Sequence, residues 1–518
     1  MKSREKSSSS NQVFEIVDFE NLDATAPERA VKVFKFESKP GLRKSDLLII
    51  GGGTGGVAAA IAACSAGLSV SLVEMTSWLG GQITSQGVSA LDENYLVETT
   101  GATRSYQAFR QAVRDHYKSL GATDGGARFE KILDPGNCWV SRLAFEPKVG
   151  VKVISQMLQG YLASGLLKIY LRSVAVSVRV QEQSISSVQC VDLDSGKFTE
   201  FRCRFCIDAT ELGDLLALAK LDYRSGAESS AETGERHAPE KANPDNVQDF
   251  TYTFAVEFCS GQKHLIPKPP HYDEFKAQNK FTLQNYRFFE NAYTKNGNGE
   301  SVELLPFWEY RRLIARENFD AKIFPFDIAM INWESNDLRG ENIIDVSPLQ
   351  QSQRLALGKN LSLGFLYWMQ NELERDDGGT GYPELKLRPD IMDTADGLSK
   401  YPYIRESRRI VAVRNVVESD LLPAPGAEPL ARARWCSDSL GIGLYPIDIH
   451  GTQDVPGAAQ ATLPFQVAAS ALVQKKIRNL LPAAKNIGVT HISNGAYRLH
   501  PIEWAIGEAA GSFAVEAI

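Results

Sequence analysis

The sequence predicts an α/β protein in which helices flank a parallel sheet and a mixed α+β region is inserted. Near residue 50 the order is strand, glycine turn, helix and strand: Asp46–Ile50 leads into Gly51–Gly56, Val57–Ala66 is an alanine-rich helix pattern, and Leu68–Glu74 follows. This order is typical of a right-handed βαβ unit. A β-rich stretch follows at 168–207, and a long helical pattern occupies 346–374 within an aromatic-rich region.

Composition excludes several other classes of protein. The chain has 518 residues, with 56 Lys and Arg against 63 Asp and Glu, which gives a net charge of −7. A mildly acidic chain without a basic block is a poor candidate for nucleic-acid binding, which depends on Lys and Arg at phosphates. The chain lacks a run of about 18 apolar residues, so we expect no transmembrane helix.

The seven cysteines are scattered along the chain, which predicts reduced thiols and therefore a cytoplasmic location. Cys203 and Cys206 form a C-x-x-C pair inside an apolar stretch. A metal-binding or redox pair would normally lie on a turn, so we interpret this pair as structural. We predict no metal site.

The glycine turn fits the fingerprint of a Rossmann-type dinucleotide-binding domain. In such a turn Gly51 allows the tight bend, Gly53 lets the backbone approach a pyrophosphate, and Gly56 permits close packing of helix on strand. Free N–H groups at the helix start would bind the pyrophosphate. Glu74, 18 positions after Gly56, would accept hydrogen bonds from ribose hydroxyls. The predicted turn residues are Gly51, Gly53, Thr54, Gly55 and Gly56.

FAD and NAD share this fingerprint, but further motifs favour FAD. The second Gly-Gly pair, at 80–81, resembles the two-dinucleotide-binding, glutathione-reductase-like flavoprotein superfamily, in which it passes beside the flavin. The strands at 167–176 and 207–210 also resemble that superfamily, where the first meets the adenine and the second is a return strand. The resemblance adds to the cofactor site Met75, Gly80, Gly81, Gln82, Ala175, Ala209, Thr210 and Gly213.

Towards the C-terminus the resemblance narrows to the broad FAD-dependent oxidoreductase family. Segments 208–214, 332–337, 403–410, 437–443, 445–450 and 479–511 are similar to its signatures, and the resemblance covers about residues 46–518. It implies a non-covalent FAD and a small-molecule substrate that passes a hydride to flavin N5, with reoxidation by oxygen or another acceptor. Ala484 and Lys485 depart from the family's glycine and arginine, and Glu211 replaces a small or aromatic residue.

We expect four segments along the chain. Residues 1–44 form a polar tail, loosely packed at its start, and 45–224 form the first part of the FAD-binding domain. The polar, turn-rich stretch 225–246 begins a substrate domain that extends to residue 400. Residues 401–518 return to the FAD-binding domain.

The resemblance also places residues at the flavin. Residues 491–498 precede a helix expected to start at Pro501, since proline suits the first helical turn. In related flavoproteins the N-terminus of this helix stabilises the reduced flavin. The resemblance therefore assigns Asn494 and Arg498 to the flavin, with Arg498 also in the chemistry. The alternative is that Arg498 only pairs with a surface carboxylate.

Two histidines and one arginine are further catalytic candidates. His450 and His491 are candidate bases because an imidazole titrates near neutral pH, although a histidine is also a common structural hydrogen-bond partner. Asp448 would face the same side of a strand as His450 and orient it. Arg405 is a candidate anchor for a substrate carboxylate. The alternative is an internal salt-bridge network within 405–409.

Other functions remain open at this stage. A flavin monooxygenase is the nearest alternative, although the chain has no second G-x-G-x-x-G for a separate NADPH domain. A disulfide reductase is disfavoured because no cysteine pair follows Gly81. A non-catalytic scaffold that keeps the fold is a third possibility, against which the intact glycines and Glu74 argue.

Overall fold

The computed structural model describes residues 12–36, 40–123, 132–423, 433–451 and 457–518. The first strands, β1 (Val13–Val17) and β2 (Val31–Lys35), pair as an antiparallel hairpin. The elements that follow are β3 (Gly41–Ile50), α1 (Thr54–Ser65), β4 (Val70–Val73), α2 (Arg104–Ser119), α3 (Pro147–Ala163), β5 (Leu167–Tyr170), β6 (Ser173–Gln181), β7 (Ser184–Asp192), β8 (Phe198–Asp208) and α4 (Asp214–Leu218).

These strands build a mixed sheet in the order β5-β4-β3-β8-β7-β6. The pairs β5–β4, β4–β3 and β3–β8 are parallel, whereas β6, β7 and β8 pair antiparallel. The sheet confirms the predicted α/β class. Because the carboxyl ends of parallel strands meet at one edge of a sheet, Gly51, Glu74 and Ala209 are brought together there.

A second region follows, in which an antiparallel sheet packs with one long helix. Its sheet order is β14-β15-β11-β17, and its buried aromatic side chains include Phe254, Trp308 and Phe365. The elements of this region are β9 (Tyr223–Arg224), α5 (Ser230–Thr233), β10 (Phe250–Thr251), β11 (Phe254–Phe258), α6 (Tyr272–Asn279), β12 (Ala292–Lys295), β13 (Ser301–Leu304), β14 (Arg312–Ile314), β15 (Ile328–Ile331), β16 (Asp337–Leu338), α7 (Pro348–Asn371), β17 (Leu385–Leu387) and α8 (Pro389–Met392).

The C-terminal segment returns to the first sheet. Its elements are β18 (Arg409–Ile410), β19 (Ser439–Gly443), β20 (Ile447–Ile449), β21 (Ala458–Gln460), β22 (Phe465–Ala468), β23 (Leu480–Pro482), α9 (His491–Tyr497) and α10 (His500–Ala517). Strand β23 pairs parallel with the end of β8. Helix α10 packs closely on α1, since a Cβ on Gly507 would lie 2.0 Å from the carbonyl oxygen of Gly55.

The predicted polar tail is folded over residues 12–36, where β1 and β2 form the hairpin, whereas loose packing was predicted for its start. Val17, Phe19 and Leu22 are buried, and the ring of Phe19 stacks on that of Tyr401 at 4.5 Å. Phe14 and Ile16 of β1 and Phe34 of β2 share one face of the hairpin, which packs against the buried side chains of Val176, Val191 and Phe198. Residues 1–11 lie outside the described residues.

The segment before Pro501 also differs from the expectation. Residues 491–497 form helix α9, and α10 begins at His500 rather than at Pro501. Thr490 begins α9 because its Oγ1 accepts a hydrogen bond from the Ser493 N–H at 3.0 Å.

The C-x-x-C pair lies within β8 and all seven cysteines are free. A hydrogen bond with Cys203 and burial together hold the pKa of the Cys206 thiol well above its usual range. Across the described ranges, no helix is both long and apolar enough to span a bilayer. In that same part of the chain, no cluster of His, Cys, Asp and Glu is arranged to bind a metal ion.

Candidate active site

A cavity, which we call the cradle, opens at the carboxyl edge of the parallel strands. Many of the predicted cofactor residues line it: Gly51, Gly53, Glu74, Met75, Gly81, Ala175, Ala209 and Thr210. Residues without a predicted role also contribute, among them Ser85, Gln86, Glu211 and Tyr401.

The glycines of the turn serve two different purposes. Gly51 has φ +99°, and a Cβ there would lie 2.1 Å from the Ala209 carbonyl oxygen, so only glycine fits. A Cβ on Gly56 would lie 2.0 Å from the Gly51 carbonyl oxygen. In contrast, a Cβ on Gly53 would first meet Oε1 of Glu211, at 2.7 Å. Gly51 and Gly56 therefore permit the packing, whereas Gly53 keeps the floor of the cradle open.

The start of α1 offers its backbone N–H groups to an anion. Gly53 is the N-cap, the first turn has no acidic residue, and no described side chain caps the helix. The first N–H groups of a helix have no intrahelical acceptor, and the helix dipole favours negative charge there. The Glu211 carboxylate lies over Gly53, although its Oε1 has no hydrogen-bond donor among the described residues. The cradle thus fits the diphosphate of a dinucleotide.

Glu74 stabilises the glycine turn through a hydrogen bond and also lines the cradle. Its Oε2 accepts a hydrogen bond from the Gly52 N–H at 2.7 Å, and its Oε1 accepts from the Thr76 N–H and hydroxyl at 2.8 Å. Burial raises the pKa of Glu74 to about 7 against these hydrogen bonds. The carboxyl group is therefore held at the end of β4, where the fingerprint places the ribose.

The remaining predicted cofactor residues lie outside the lining of the cradle. Thr54 Oγ1 donates to the Gly80 carbonyl at 2.9 Å, and Gln82 Nε2 donates to Glu503 Oε2 at 2.7 Å. Asn494 Nδ2 donates to the Arg405 carbonyl at 2.8 Å. The other members of this group act through the backbone: Gly55 packs against Ala483, Gly56 against Gly51, and Gly213 is the N-cap of α4.

A second cavity, of about 180 Å³, lies next to the segment 401–405. Tyr401 lines the cradle, whereas Tyr403 and Arg405 line this second cavity, so that one short segment borders both. We call it the polar cavity, and its lining consists of Asp92, Tyr310, Arg311, Asn332, Trp333, Glu334, Tyr403, Arg405, Tyr445, Asp448, His450 and Arg498.

Three buried arginines line the polar cavity, and each forms an ion pair. The pairs are Arg311–Asp92 at 2.9 Å, Arg405–Asp337 at 3.0 Å and Arg498–Asp448 at 3.1 Å. The Nε of each arginine is buried and has no acceptor among the described residues.

His450 lines the polar cavity but differs from the neutral base expected from the sequence. Its Nδ1 lies 2.5 Å from Asp337 Oδ2, and its Nε2 lies 3.7 Å from Asp448 Oδ2. Burial opposes the charged form, but the two carboxylates outweigh burial and raise the pKa of His450 to about 9. His450 is therefore a cation at neutral pH. The predicted pairing with Asp448 is present, although Asp337 is the closer partner.

His491 lies elsewhere, at the start of α9, and lines neither cavity. Its Nδ1 is 2.8 Å from Glu406 Oε2, and its backbone N–H donates to Glu228 at 2.9 Å. Burial and the positive charge of Arg409 lower the pKa of His491 to about 4. The structure thus separates the two candidate bases, and His491 takes the role of a buried hydrogen-bond partner.

The 405–409 cluster forms the internal salt-bridge network that was one of the two interpretations, and the role of Arg405 as a substrate anchor stays a prediction. Arg408 pairs with Asp345 at 2.9 Å, and Arg409 pairs with Glu228 at 2.9 Å, which makes these two arginines structural. Arg405 also pairs with a carboxylate, yet it alone of the three lines the polar cavity.

Several residues of the polar cavity had no role assigned from the sequence. The motifs at 332–337, 403–410 and 445–450 indicated where some of them lie, without indicating a function. Asp92 and Arg311 had no local signal, because only the fold brings them to the cavity. The residues missed in this way are Asp92, Tyr310, Arg311, Asn332, Trp333, Glu334, Asp337, Tyr403 and Tyr445.

A glycine-lined cradle at the carboxyl edge of a parallel sheet defines a nucleotide-binding α/β protein of the Rossmann type. The model of the family described as FAD dependent oxidoreductase matches residues 46–518. The chain therefore belongs to this family. The match confirms the resemblance and FAD as the cofactor.

Comparison with curated proteins gave no match. Solved structures with weak similarity include Mycobacterium smegmatis Sdh1, at 11% identity and TM-score 0.30 over 92% of this chain and 68% of that one. An E. coli quinol fumarate reductase has 13% identity and TM-score 0.29 over 92% and 71%. A glycerol-3-phosphate dehydrogenase from Bacillus halodurans, complexed with FAD, has 12% identity and TM-score 0.27 over 57% and 49%. The chain spans 24% to 49% of the first three structures that it matches.

Proposed function

We propose that this oxidoreductase takes a hydride from a small organic substrate that carries a carboxylate and binds in the polar cavity. The observation that carries the proposal is that three arginines from separate parts of the chain, Arg311, Arg405 and Arg498, line the same cavity. A guanidinium offers parallel N–H donors that match the two oxygens of a carboxylate.

The cradle would hold the FAD through Gly53, Gly81 and Glu74, with the start of α1 at the diphosphate. Bound FAD supplies a two-electron acceptor. The segment 401–405 supports a cofactor site in the cradle beside a substrate site in the polar cavity, because Tyr401 lines the cradle and Tyr403 lines the polar cavity.

The side chains of the polar cavity would bind and orient the substrate. Arg498 Nη1 donates to the Tyr403 hydroxyl at 2.6 Å, which leaves the hydroxyl hydrogen of Tyr403 to donate to a substrate oxygen. His450 adds a fourth positive charge to those of the three arginines, and Asp337 fixes its ring through Nδ1. Arg405 in turn holds Asp337 at 3.0 Å. We assign His450 a charge-stabilising role at neutral pH.

The seven free thiols support the cytoplasmic location that we propose alongside this function.

Titration of the purified full-length flavoprotein with paired substrates tests the proposal. Small hydroxy acids, amino acids and dicarboxylates are added anaerobically, each beside its uncharged amide, and loss of oxidised-flavin absorbance is recorded. We expect the acids to bleach the flavin much faster than the amides. Equal rates for acid and amide, or bleaching by uncharged compounds alone, would contradict the proposal. Oxygen uptake on admitting air then tests whether oxygen is the acceptor.

A further inference from the structure

The carboxylate of Glu211 occupies the anion position of the cradle. Glu211 follows the end of β8, and its Oε1 lies 2.7 Å and 2.8 Å from the points that Cβ atoms on Gly53 and Gly81 would take. That oxygen is buried and has no hydrogen-bond donor among the described residues. A phosphate that approaches the bare backbone of these glycines would need the same space.

A buried lysine holds Glu211 in this position. Lys485 Nζ lies 2.6 Å from Glu211 Oε2 and 3.0 Å from Glu503 Oε2. The fold produces this contact because β23 runs parallel to β8, so that the segments after both strands emerge at the same edge. The two carboxylates raise the pKa of Lys485 despite its burial, and the lysine stays charged.

Lys485 keeps a partner when Glu211 moves. Glu503, in the first turn of α10, also accepts a hydrogen bond from Gln82 Nε2 at 2.7 Å and is therefore fixed. Glu211 has Lys485 as its ion-pair partner among the described residues, and its side chain is 11% exposed. The lysine and Glu503 would remain in place beneath an incoming diphosphate.

We propose that Glu211 is a built-in competitor of the FAD diphosphate: its carboxylate lies in the space that the diphosphate needs and must withdraw, leaving Lys485 as counter-charge, for the nucleotide to bind. This inference concerns cofactor uptake and is independent of the substrate proposed above. Glu211 and the diphosphate are both anions, so they cannot occupy the cradle together. Neutralising Glu211 therefore strengthens nucleotide binding, whereas removing the charge of Lys485 weakens it.

Dissociation constants of the flavin-stripped, full-length protein test this inference. FAD, ADP and adenosine are measured by calorimetry against the wild type and Glu211→Gln. We expect Glu211→Gln to tighten FAD and ADP about tenfold and to leave adenosine, which has no phosphate, unchanged. Glu372→Gln is the matched control, because it removes a carboxylate that pairs with Lys276 far from the cradle, and we expect no change.

Two further variants keep the test decisive. Glu211→Asp shortens the side chain and retains its charge, so we expect an intermediate gain of about threefold for FAD and ADP. Lys485→Met is expected to weaken both ligands about tenfold without an effect on adenosine. Unchanged or weaker FAD and ADP binding in Glu211→Gln, or in Glu211→Asp if the first variant does not fold, would overturn the inference. Equal gains for adenosine would also overturn it, since the effect would not arise at the diphosphate.

Discussion

The cradle and the polar cavity bind anions by different physical means. The cradle relies on backbone: a glycine turn from 51 to 56, a second glycine pair at 80–81, and the uncapped start of α1. The polar cavity relies on ionisable side chains from six separate parts of the chain, around residues 92, 311, 333, 404, 448 and 498. Backbone dipoles do not titrate, whereas the charges of the polar cavity depend on pH and on one another. The cradle is therefore suited to a constant cofactor, and the polar cavity to discrimination among substrates.

The largest expected effect comes from filling the cradle. Gly53→Val places methyl groups in the anion position, and the wild-type φ at Gly53, −66°, is accessible to valine, so we expect the fold to persist. FAD affinity should fall about 1,000-fold, since the diphosphate can no longer approach the backbone. Calorimetry with the stripped protein gives the value. Gly160→Val, at an exposed helical site with no neighbour within 4 Å, is the control. Normal flavin content in Gly53→Val would show that the diphosphate lies elsewhere.

A change in the polar cavity should leave the cofactor in place. Arg498→Met removes a guanidinium that faces the polar cavity, and its partner Asp448 is partly exposed, which limits the cost of leaving that carboxylate unpaired. We expect kcat/KM for a carboxylate substrate to fall about 100-fold while flavin content changes less than twofold. Steady-state kinetics and the absorption spectrum supply the two readouts. If Arg498→Met loses its flavin as Gly53→Val does, the proposed separation between the cradle and the polar cavity is wrong. The control variant is Arg375→Met, which removes the arginine that pairs with Asp377.

The charge of His450 should make the stability of the protein depend on pH. The pKa of His450 is raised from 6.5 to about 9 in the folded protein, so its protonation stabilises the fold fully below pH 6.5, and this contribution is lost as the pH rises through 9. The free energy of unfolding of the wild type should exceed that of His450→Gln by about 2 kcal/mol near pH 6. Near pH 10 the two values should be almost equal. Urea unfolding at both pH values measures this difference. A difference that is the same at both values would refute the cationic assignment.

The smallest effect is expected at the other candidate histidine. His491→Gln keeps a hydrogen-bonding group beside Glu406 and lies outside both cavities. We expect kcat/KM and FAD affinity to remain within about twofold of the wild type. The same kinetic assay of His450→Gln provides the contrast. A loss of turnover in His491→Gln that matches or exceeds the loss in His450→Gln would restore His491 as a catalytic candidate.

The sequence predicts the cradle well because its parts are local. The turn at 51–56, the helix after it and Glu74 occupy one βαβ unit, whose spacing alone specifies the geometry. Tertiary contacts explain why some residues that the sequence assigns to the cofactor lie outside the lining of the cradle. Gln82, for example, turns towards Glu503 of α10, more than 400 positions along the chain.

The polar cavity could be predicted only in part, for a physical reason. Arg405, His450 and Arg498 belong to recognisable motifs, but Asp92 and Arg311 meet them only after the inserted region folds back. The charge of His450 depends on Asp337, a partner 113 positions away, so a lone histidine could not reveal its raised pKa. The pairing of Glu211 with Lys485 could not be predicted either. Each residue departs from the family pattern, but only the fold places the two side chains 2.6 Å apart.

A crystal structure of the full-length flavoprotein with a bound carboxylate substrate or inhibitor tests the division between the two regions most directly. We predict the diphosphate over Gly53 and Gly81, the Glu211 side chain withdrawn, and the ligand carboxylate against Arg498 and its neighbours in the polar cavity. A diphosphate outside the cradle, or a carboxylate bound away from these arginines, would contradict the account.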